Sequence, residues 1–278
     1  MPNQLQRALA LQQLHQRPGC FVIPNPWDAG SAKALAALGF EALATTSAGL
    51  ACSLGRRDGE GLISREETLD NARTIIAATR LPVAADLENG FGDSPQACAE
   101  TIQQAALSGL VGGSIEDASG LADAPIYPFE LALERIQAAV AAARSQPFPF
   151  TLCARAENFL HGRTDLADTI RRLQAYAEAG ADVLYAPGLR SREEIAAMVR
   201  AVAPKPVNVV MGLASPSFTV AELAELGVKR ISLGSSLARA AFGAFLRAAE
   251  EVRQHGSFTF AEQAEPFARI NTLFSAQR

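Results

Sequence analysis

Acidic residues gather in three short segments of this 278-residue chain. Asp86 and Glu88 stand in Ala85-Asp86-Leu87-Glu88-Asn89-Gly90-Phe91-Gly92, Glu116 and Asp117 in Ser114-Ile115-Glu116-Asp117, and Asp58 in Leu54-Gly55-Arg56-Arg57-Asp58-Gly59. Carboxylates that converge repel one another unless a cation sits among them, and hard oxygen donors suit Mg2+ or Mn2+. Mg2+ keeps several of its waters, so one direct carboxylate suffices. Asp86 is the candidate direct ligand, with Glu88, Asp58 and Glu116 as candidates that assist. Arg155, in Cys153-Ala154-Arg155-Ala156-Glu157-Asn158, brings a guanidinium that can clamp a substrate carboxylate or pair with Glu116 or Glu157. The hydroxyls and N–H groups of Thr45, Thr46, Ser47 and Ala48 suit a second carboxylate or an oxyanion, although the same segment reads equally well as a plain turn.

These residues need a scaffold that brings them to one place. Short β-like runs alternate with longer helical patterns about every 30 residues, the pattern of parallel βα units. Strands are expected at 21–24, 42–46, 82–86, 113–116, 150–154, 182–186, 206–210 and 230–233. Helical patterns fill 28–38, 64–79, 95–107, 130–143, 166–179, 192–202 and 220–226, and four of them run into Gly39, Gly109, Gly180 and Gly227, each suited to cap a helix. Eight such units without an interposed domain predict an α/β protein, a TIM-type (β/α)8 barrel occupying 1–278 as one domain. A helix at 4–15 precedes the first strand, where it can plug the barrel's lower end. Helices at 237–254 and 260–273 make 237–278 a C-terminal extension able to pack on a partner subunit. No GxGxxG follows the first strand, so nothing supports dinucleotide binding.

In such a barrel the C-terminal strand ends face the active site. The acids then sit after strands 2, 3 and 4, and Arg155 ends strand 5. Asn208, in strand 7, joins Thr45, Thr46, Ser47, Ala48 and Arg155 as a substrate-binding candidate. Arg155, Glu116 and Tyr127 are the catalytic candidates, and Tyr127 and Tyr185 the nearest proton donors. Of only three lysines, Lys205 and Lys229 precede strands 7 and 8 and Lys33 lies on the first barrel helix, which disfavours a Schiff-base aldolase. His15 and His255 fall in flanking helices; His161, shortly after strand 5, is within reach of the site.

The chain is 49% apolar with a net charge of −4, and its 25 basic residues are scattered, which argues against a nucleic-acid or anionic-membrane surface and for a small soluble partner. It shows neither a secretory leader pattern nor a run of about 18 apolar residues, so a soluble cytoplasmic protein is expected. The four cysteines are widely spaced without a CxxC pair and read as buried thiols.

Taken in order, Asn25-Pro26-Trp27-Asp28-Ala29-Gly30, Thr46-Ser47-Ala48-Gly49, Ser53-Leu54-Gly55 before Asp58-Gly59, the Asp86 to Gly92 segment, Ile115-Glu116-Asp117 and Ala154-Arg155-Ala156-Glu157 resemble the isocitrate lyase / phosphoenolpyruvate mutase superfamily. The resemblance implies an α/β barrel whose eighth helix is exchanged between subunits of a homodimer or homotetramer. It implies Mg2+ held by Asp86 and assisted, often through water, by Asp58, Glu88 and Glu116, with a 2-oxo acid or its enolate contacting the metal, the Thr45–Ala48 segment and Arg155.

The chain departs from the superfamily pattern in two places. Members usually carry Asp where this chain has Glu88. The loop after strand 4, from Ala118 to Tyr127, lacks the Lys, Cys and His of the lyases and the Lys of the phosphonate enzymes. The metal core remains, enough for decarboxylation of an oxaloacetate-like acid or cleavage of a 2-hydroxy acid. Carbon–phosphorus chemistry of the mutase or phosphonopyruvate hydrolase kind, and an idle metabolite-binding barrel, are the alternatives.

Overall fold

The computed structural model describes residues 2–212 and 218–275, so the last three residues of the expected C-terminal extension lie outside the described residues. Eight short parallel strands form its centre: β1 (Phe21–Ile23), β2 (Leu43–Ala44), β3 (Val83–Asp86), β4 (Gly112–Glu116), β5 (Thr151–Arg155), β6 (Val183–Tyr185), β7 (Val207–Val210) and β8 (Arg230–Ser232). Each pairs with its sequence neighbour from β2 to β8, and β1 pairs with β8. Only β1 and β2 lack a ladder; there the Ala44 N–H donates to the Pro24 carbonyl at 3.1 Å and Asn25 Nδ2 to the Thr45 carbonyl at 2.9 Å. The result is a nearly closed (β/α)8 barrel.

The outer helices are α2 (Ala29–Ala37), α4 (Arg65–Ala77), α5 (Pro95–Leu107), α6 (Phe129–Arg144), α7 (Leu166–Glu178), α8 (Arg192–Val202) and α9 (Val220–Glu225). Asp28, Ser64, Ser94, Asp165, Ser191 and Thr219 each cap a helix start by accepting an N–H of its first turn, which fixes where each helix begins. The glycines expected at helix ends, Gly39, Gly109, Gly180 and Gly227, all adopt positive φ. Alternation along the strands sends Leu152, Ala154, Leu184, Val209 and Ile231 outward into the main apolar core beneath these helices.

The helix α1 (Gln4–Gln16) does close the lower end of the barrel. Ala8, Leu11 and Leu14 bury against Phe21, Ile23, Ala42, Ala84 and Val111. Gly112 makes room for it: a Cβ there would lie 2.8 Å from the Thr151 carbonyl and 3.2 Å from Leu11 Cδ2. Gln4 Nε2 anchors the helix on the carbonyls of Ala106 and Leu110, at 2.7 and 2.9 Å.

After β8 come α10 (Ser236–His255) and α11 (Phe267–Ser275). Of these two helices only Ala238 is buried, while Phe242, Phe245, Leu246 and Phe267 are exposed. α11 folds back towards α2, with Lys33 Nζ 5.9 Å from the centre of the Phe274 ring. Among the described residues no helix is long and apolar enough to cross a membrane.

Three elements differ from expectation. The helix expected over 260–273 is divided into a 3-10 turn, Thr259–Gln263, and α11, with Pro266 between them. The strand expected over 42–46 ends at Ala44, because Thr46 turns the chain into a further helix, α3 (Ser47–Ser53), by accepting the Gly49 N–H at 3.2 Å. A single 3-10 turn, Asn158–His161, follows β5. The last two are short runs whose composition carries no helical periodicity.

Candidate active site

Arg155 ends β5 with its side chain only 13% exposed, and each arm of its guanidinium meets a different acid. Nη1 lies 2.9 Å from Asp86 Oδ1, Nη2 3.0 Å from Glu116 Oε2 and Nε 2.8 Å from Glu157 Oε1. Burial opposes its charge, yet Glu116, Glu157 and Asp86 hold it well above the ordinary guanidinium range. Strand register produces this convergence. Glu116 is the partner of Arg155, Arg155 of Tyr185, Tyr185 of Asn208 and Asn208 of Arg230, so five polar side chains follow one line across β4 to β8.

Asp86 is the other pivot. Its Oδ2 accepts from Ser47 Oγ at 3.1 Å, its Oδ1 from the Glu88 N–H at 3.3 Å, and its own N–H donates to Thr45 Oγ1 at 3.0 Å. Around it acid exceeds base. Burial and then the charges of Asp86 and Asp58 push Glu88 up to about 7, with Arg155 opposing. Burial and Asp86 raise Asp58, against a hydrogen bond from Ser47. Burial raises Glu116 well above the carboxylate range against the pull of Arg155, and raises Glu157 above its ordinary value against the same pull.

Glu88 reaches this cluster from a backbone that glutamate rarely adopts, at φ 47°, and Phe91 follows at φ 58°. Such conformations cost roughly 1 kcal/mol or more each and persist where their surroundings hold them. Here the Glu116 N–H donates to the Glu88 carbonyl at 3.0 Å, and the buried Arg135 donates to the carbonyls of Asn89 and, at 2.6 Å, Gly92.

Among the described residues no three Asp, Glu, His or Cys side chains converge into a metal-binding group. Asp86, Glu88, Asp58 and Glu116 are therefore not a closed protein cage. Carboxylate oxygens around one pivotal Asp, short of positive charge, fit instead a hydrated hard cation held directly by one acid.

Two cavities flank the cluster. The inner one, about 170 Å³, is lined by Thr45, Thr46, Ser47, Ala48, Asp58, Asp86, Arg155, Tyr185, Asn208 and Arg230, among others. The outer one, about 550 Å³, is lined by Glu88, Glu116, Glu60, Arg65, His161 and the loop residues 118–120. The substrate-binding candidates thus all reach the inner cavity. The Thr45 and Thr46 hydroxyls already accept the N–H groups of Asp86 and Gly49, so they also build the site's frame.

Tyr127 is placed differently. It is buried beneath the loop that follows β4, donates to Asp93 Oδ1 at 2.6 Å, accepts from Asn89 Nδ2 at 3.3 Å, and stacks on Arg135 at 4.2 Å. Burial and Asp93 push its phenol up to about 12, and it lines neither cavity. A catalytic role for Tyr127 gains no support from this geometry, whereas Tyr185 faces the inner cavity with its ring 5.2 Å from the Arg155 guanidinium. Sequence reasoning did not find Arg230 or the Asp117, Arg172 and Tyr176 cluster. The available signals were a cation at the head of an apolar strand and an acid directly after Glu116.

A phosphoenolpyruvate phosphomutase family model matches residues 11–253. The chain belongs to the isocitrate lyase / phosphoenolpyruvate mutase superfamily. A Burkholderia cenocepacia J2315 protein, described as a candidate lyase/mutase, shares 61% identity with this superfamily member over 98% of this chain and 97% of its own, with a TM-score of 0.95. The oxaloacetate decarboxylase of Bradyrhizobium diazoefficiens is 32% identical over 197 residues, 69% of this chain and 66% of the relative. Phosphonopyruvate hydrolase, solved in complex with oxalate and Mg2+, is 25% identical with a TM-score of 0.85 over 97% of this chain and 94% of its own. The chain thus belongs to a superfamily of lyases and mutases, and carbon–carbon lyases such as oxaloacetate decarboxylase are among its relatives.

Proposed function

We propose that this protein is a divalent-metal-dependent lyase, using Mg2+ or in its place Mn2+, that breaks a carbon–carbon bond beside the carbonyl of a small 2-oxo or 2-hydroxy acid of oxaloacetate type. The observation that carries the reading is the surplus of acid around Asp86, where one guanidinium faces Asp86, Glu116 and Glu157 while Glu88 and Asp58 crowd the same pivot. Asp86 would hold the cation, with Glu88, Asp58 and Glu116 around its waters. Once bound, it would take up negative charge growing on the carbonyl oxygen.

The chain's own residues do the rest. Arg155 meets the substrate carboxylate with the arm it now shares with Asp86, and the other two arms keep it aligned through Glu116 and Glu157. Ser47 and Ala48 line the same inner cavity. Burial pushes the Tyr185 phenol above its ordinary value, so it stays protonated and serves as proton donor to the enolate left by cleavage. Glu116, whose carboxyl burial also raises, is the second group able to carry a proton.

The similarity to oxaloacetate decarboxylase supports carbon–carbon chemistry, as does a loop over 118–126 without Lys, Arg or His. The exposed aromatic faces of α10 and α11 support a homodimer or homotetramer in which those helices cover a neighbour. The test is a panel of 2-oxo and 2-hydroxy di- and tricarboxylates plus phosphonopyruvate, read for pyruvate and inorganic phosphate with Mg2+ and with EDTA. Pyruvate from oxaloacetate or one hydroxy acid, dependent on Mg2+, is expected. Phosphate release would move the function to carbon–phosphorus chemistry, and silence across the panel would favour an idle binding barrel.

A further inference from the structure

Arg230 opens β8 with its side chain inside the barrel, 7% exposed, three register steps along from Arg155. A buried guanidinium is ordinarily matched by an acid, because desolvating an unmatched charge costs several kcal/mol. Arg230 makes no ion pair among the described residues. Its Nε donates to Asn208 Oδ1 at 2.8 Å, Asn208 Nδ2 donates to Ser232 Oγ at 3.0 Å, and the buried Cys153 thiol lies beside it. His15 also feels the charge of Arg230: burial first, then Arg230 and to a smaller extent Lys229, hold it neutral, down to about 3. All four of Arg230, Asn208, Ser232 and Cys153 line the inner cavity that also holds Asp86 and Arg155.

We propose that Arg230, positioned by Asn208, binds the remote carboxylate of the substrate at the floor of the inner cavity, which makes the substrate a short dicarboxylate that points down into the barrel. This rests on the oxo-acid reading of the site and deepens it. Charge favours the floor over the loops. The outer cavity presents Glu60, Glu88 and Glu116 against Arg65, whose guanidinium already faces Glu100 at 3.7 Å. In the inner cavity the positive charge of Arg155 is spent on three acids, and that of Arg230 on none among the described residues.

Calorimetric titration with Mg2+ present, using racemic malate and racemic 2-hydroxybutyrate, tests this, since the two differ only by a carboxylate in place of a methyl group. Wild type should prefer malate by about 10-fold or more, the worth of a charge-assisted hydrogen bond out of water. Arg230→Met should abolish that preference while leaving 2-hydroxybutyrate affinity within about two-fold, and Arg230→Lys, which keeps the charge should the methionine variant misfold, should retain part of it. A wild type that does not distinguish the ligands, or variants that lose both equally, would overturn the inference. Because the readout is binding, an intact preference without turnover of any acid in the panel would sink the lyase reading alone.

Discussion

Two arginine-centred hubs, one around the buried Arg172 and one around the largely buried Arg155, differ in how their charge is answered. Arg172, on α7, pairs with Asp117 at 3.1 Å and Asp168 at 2.9 Å and donates to the Tyr127 carbonyl. Asp117 also accepts the Glu157 N–H and the Tyr176 hydroxyl, both at 2.8 Å, and Asp168 accepts from Asn158. That hub is complete: although burial opposes it, hydrogen bonds from Arg171, Arg172 and Asn158 hold Asp168 down to about 2. Arg172 lines neither cavity flanking the acid cluster. Arg155 instead carries three acids, has two more crowding the same pivot, and lies on a cavity wall. The closed hub ties β4, β5 and α7 together so that Glu116 and Arg155 stay opposed; the overloaded hub is the one proposed to take a cation. On that proposal, balanced buried charge serves the structure and unbalanced charge at strand ends serves the function.

The comparison breaks first at Asp86. Asp86→Asn should lower kcat by about 10³-fold or more while leaving the melting temperature unchanged or raised, since it relieves crowding among like charges. Equal loss of stability and activity would make the two hubs the same kind of object. Arg172→Met should do the opposite. Leaving Asp117 buried and unmatched should cost about 3–5 kcal/mol in urea unfolding, with kcat of the folded enzyme within a few-fold of wild type.

A smaller effect separates the two ends of the barrel. His15 titrates near 3 when folded and near 6.5 when unfolded, so below pH 6.5 the unfolded chain takes up a proton that the folded one refuses. Its contribution is nil above that value and turns against folding as pH falls, by about 3 kcal/mol at pH 4.5, and His15→Gln should flatten that part of the stability profile. Smallest is Tyr127→Phe, expected to cost about 1 kcal/mol for the lost hydrogen bond to Asp93 with kcat unchanged. A large fall in kcat there would restore Tyr127 as a proton donor.

The fold was legible because eight βα units repeat the same grammar of a short apolar strand, a capped helix and a glycine. The acids and Arg155 were legible because their places follow from strand ends alone. What escaped depends on spatial partners that sequence spacing does not encode. The small-residue run Ser47–Ser53 gives no apolar stripe, so α3 was not expected. Tyr127 looked like a loop residue facing the site until Asp93 and Arg135 claimed it from below. Arg230 read as the polar start of a strand, and only β7–β8 register turns it into the barrel beside Asn208.

The most direct measurement is Mn2+ binding, followed by electron paramagnetic resonance, to the wild-type protein and to Asp86→Ala, with Arg172→Met as the control at the other hub. One Mn2+ per chain in wild type and in Arg172→Met, lost in Asp86→Ala, is the expected result. Equal binding by all three would contradict a cation site at the overloaded hub.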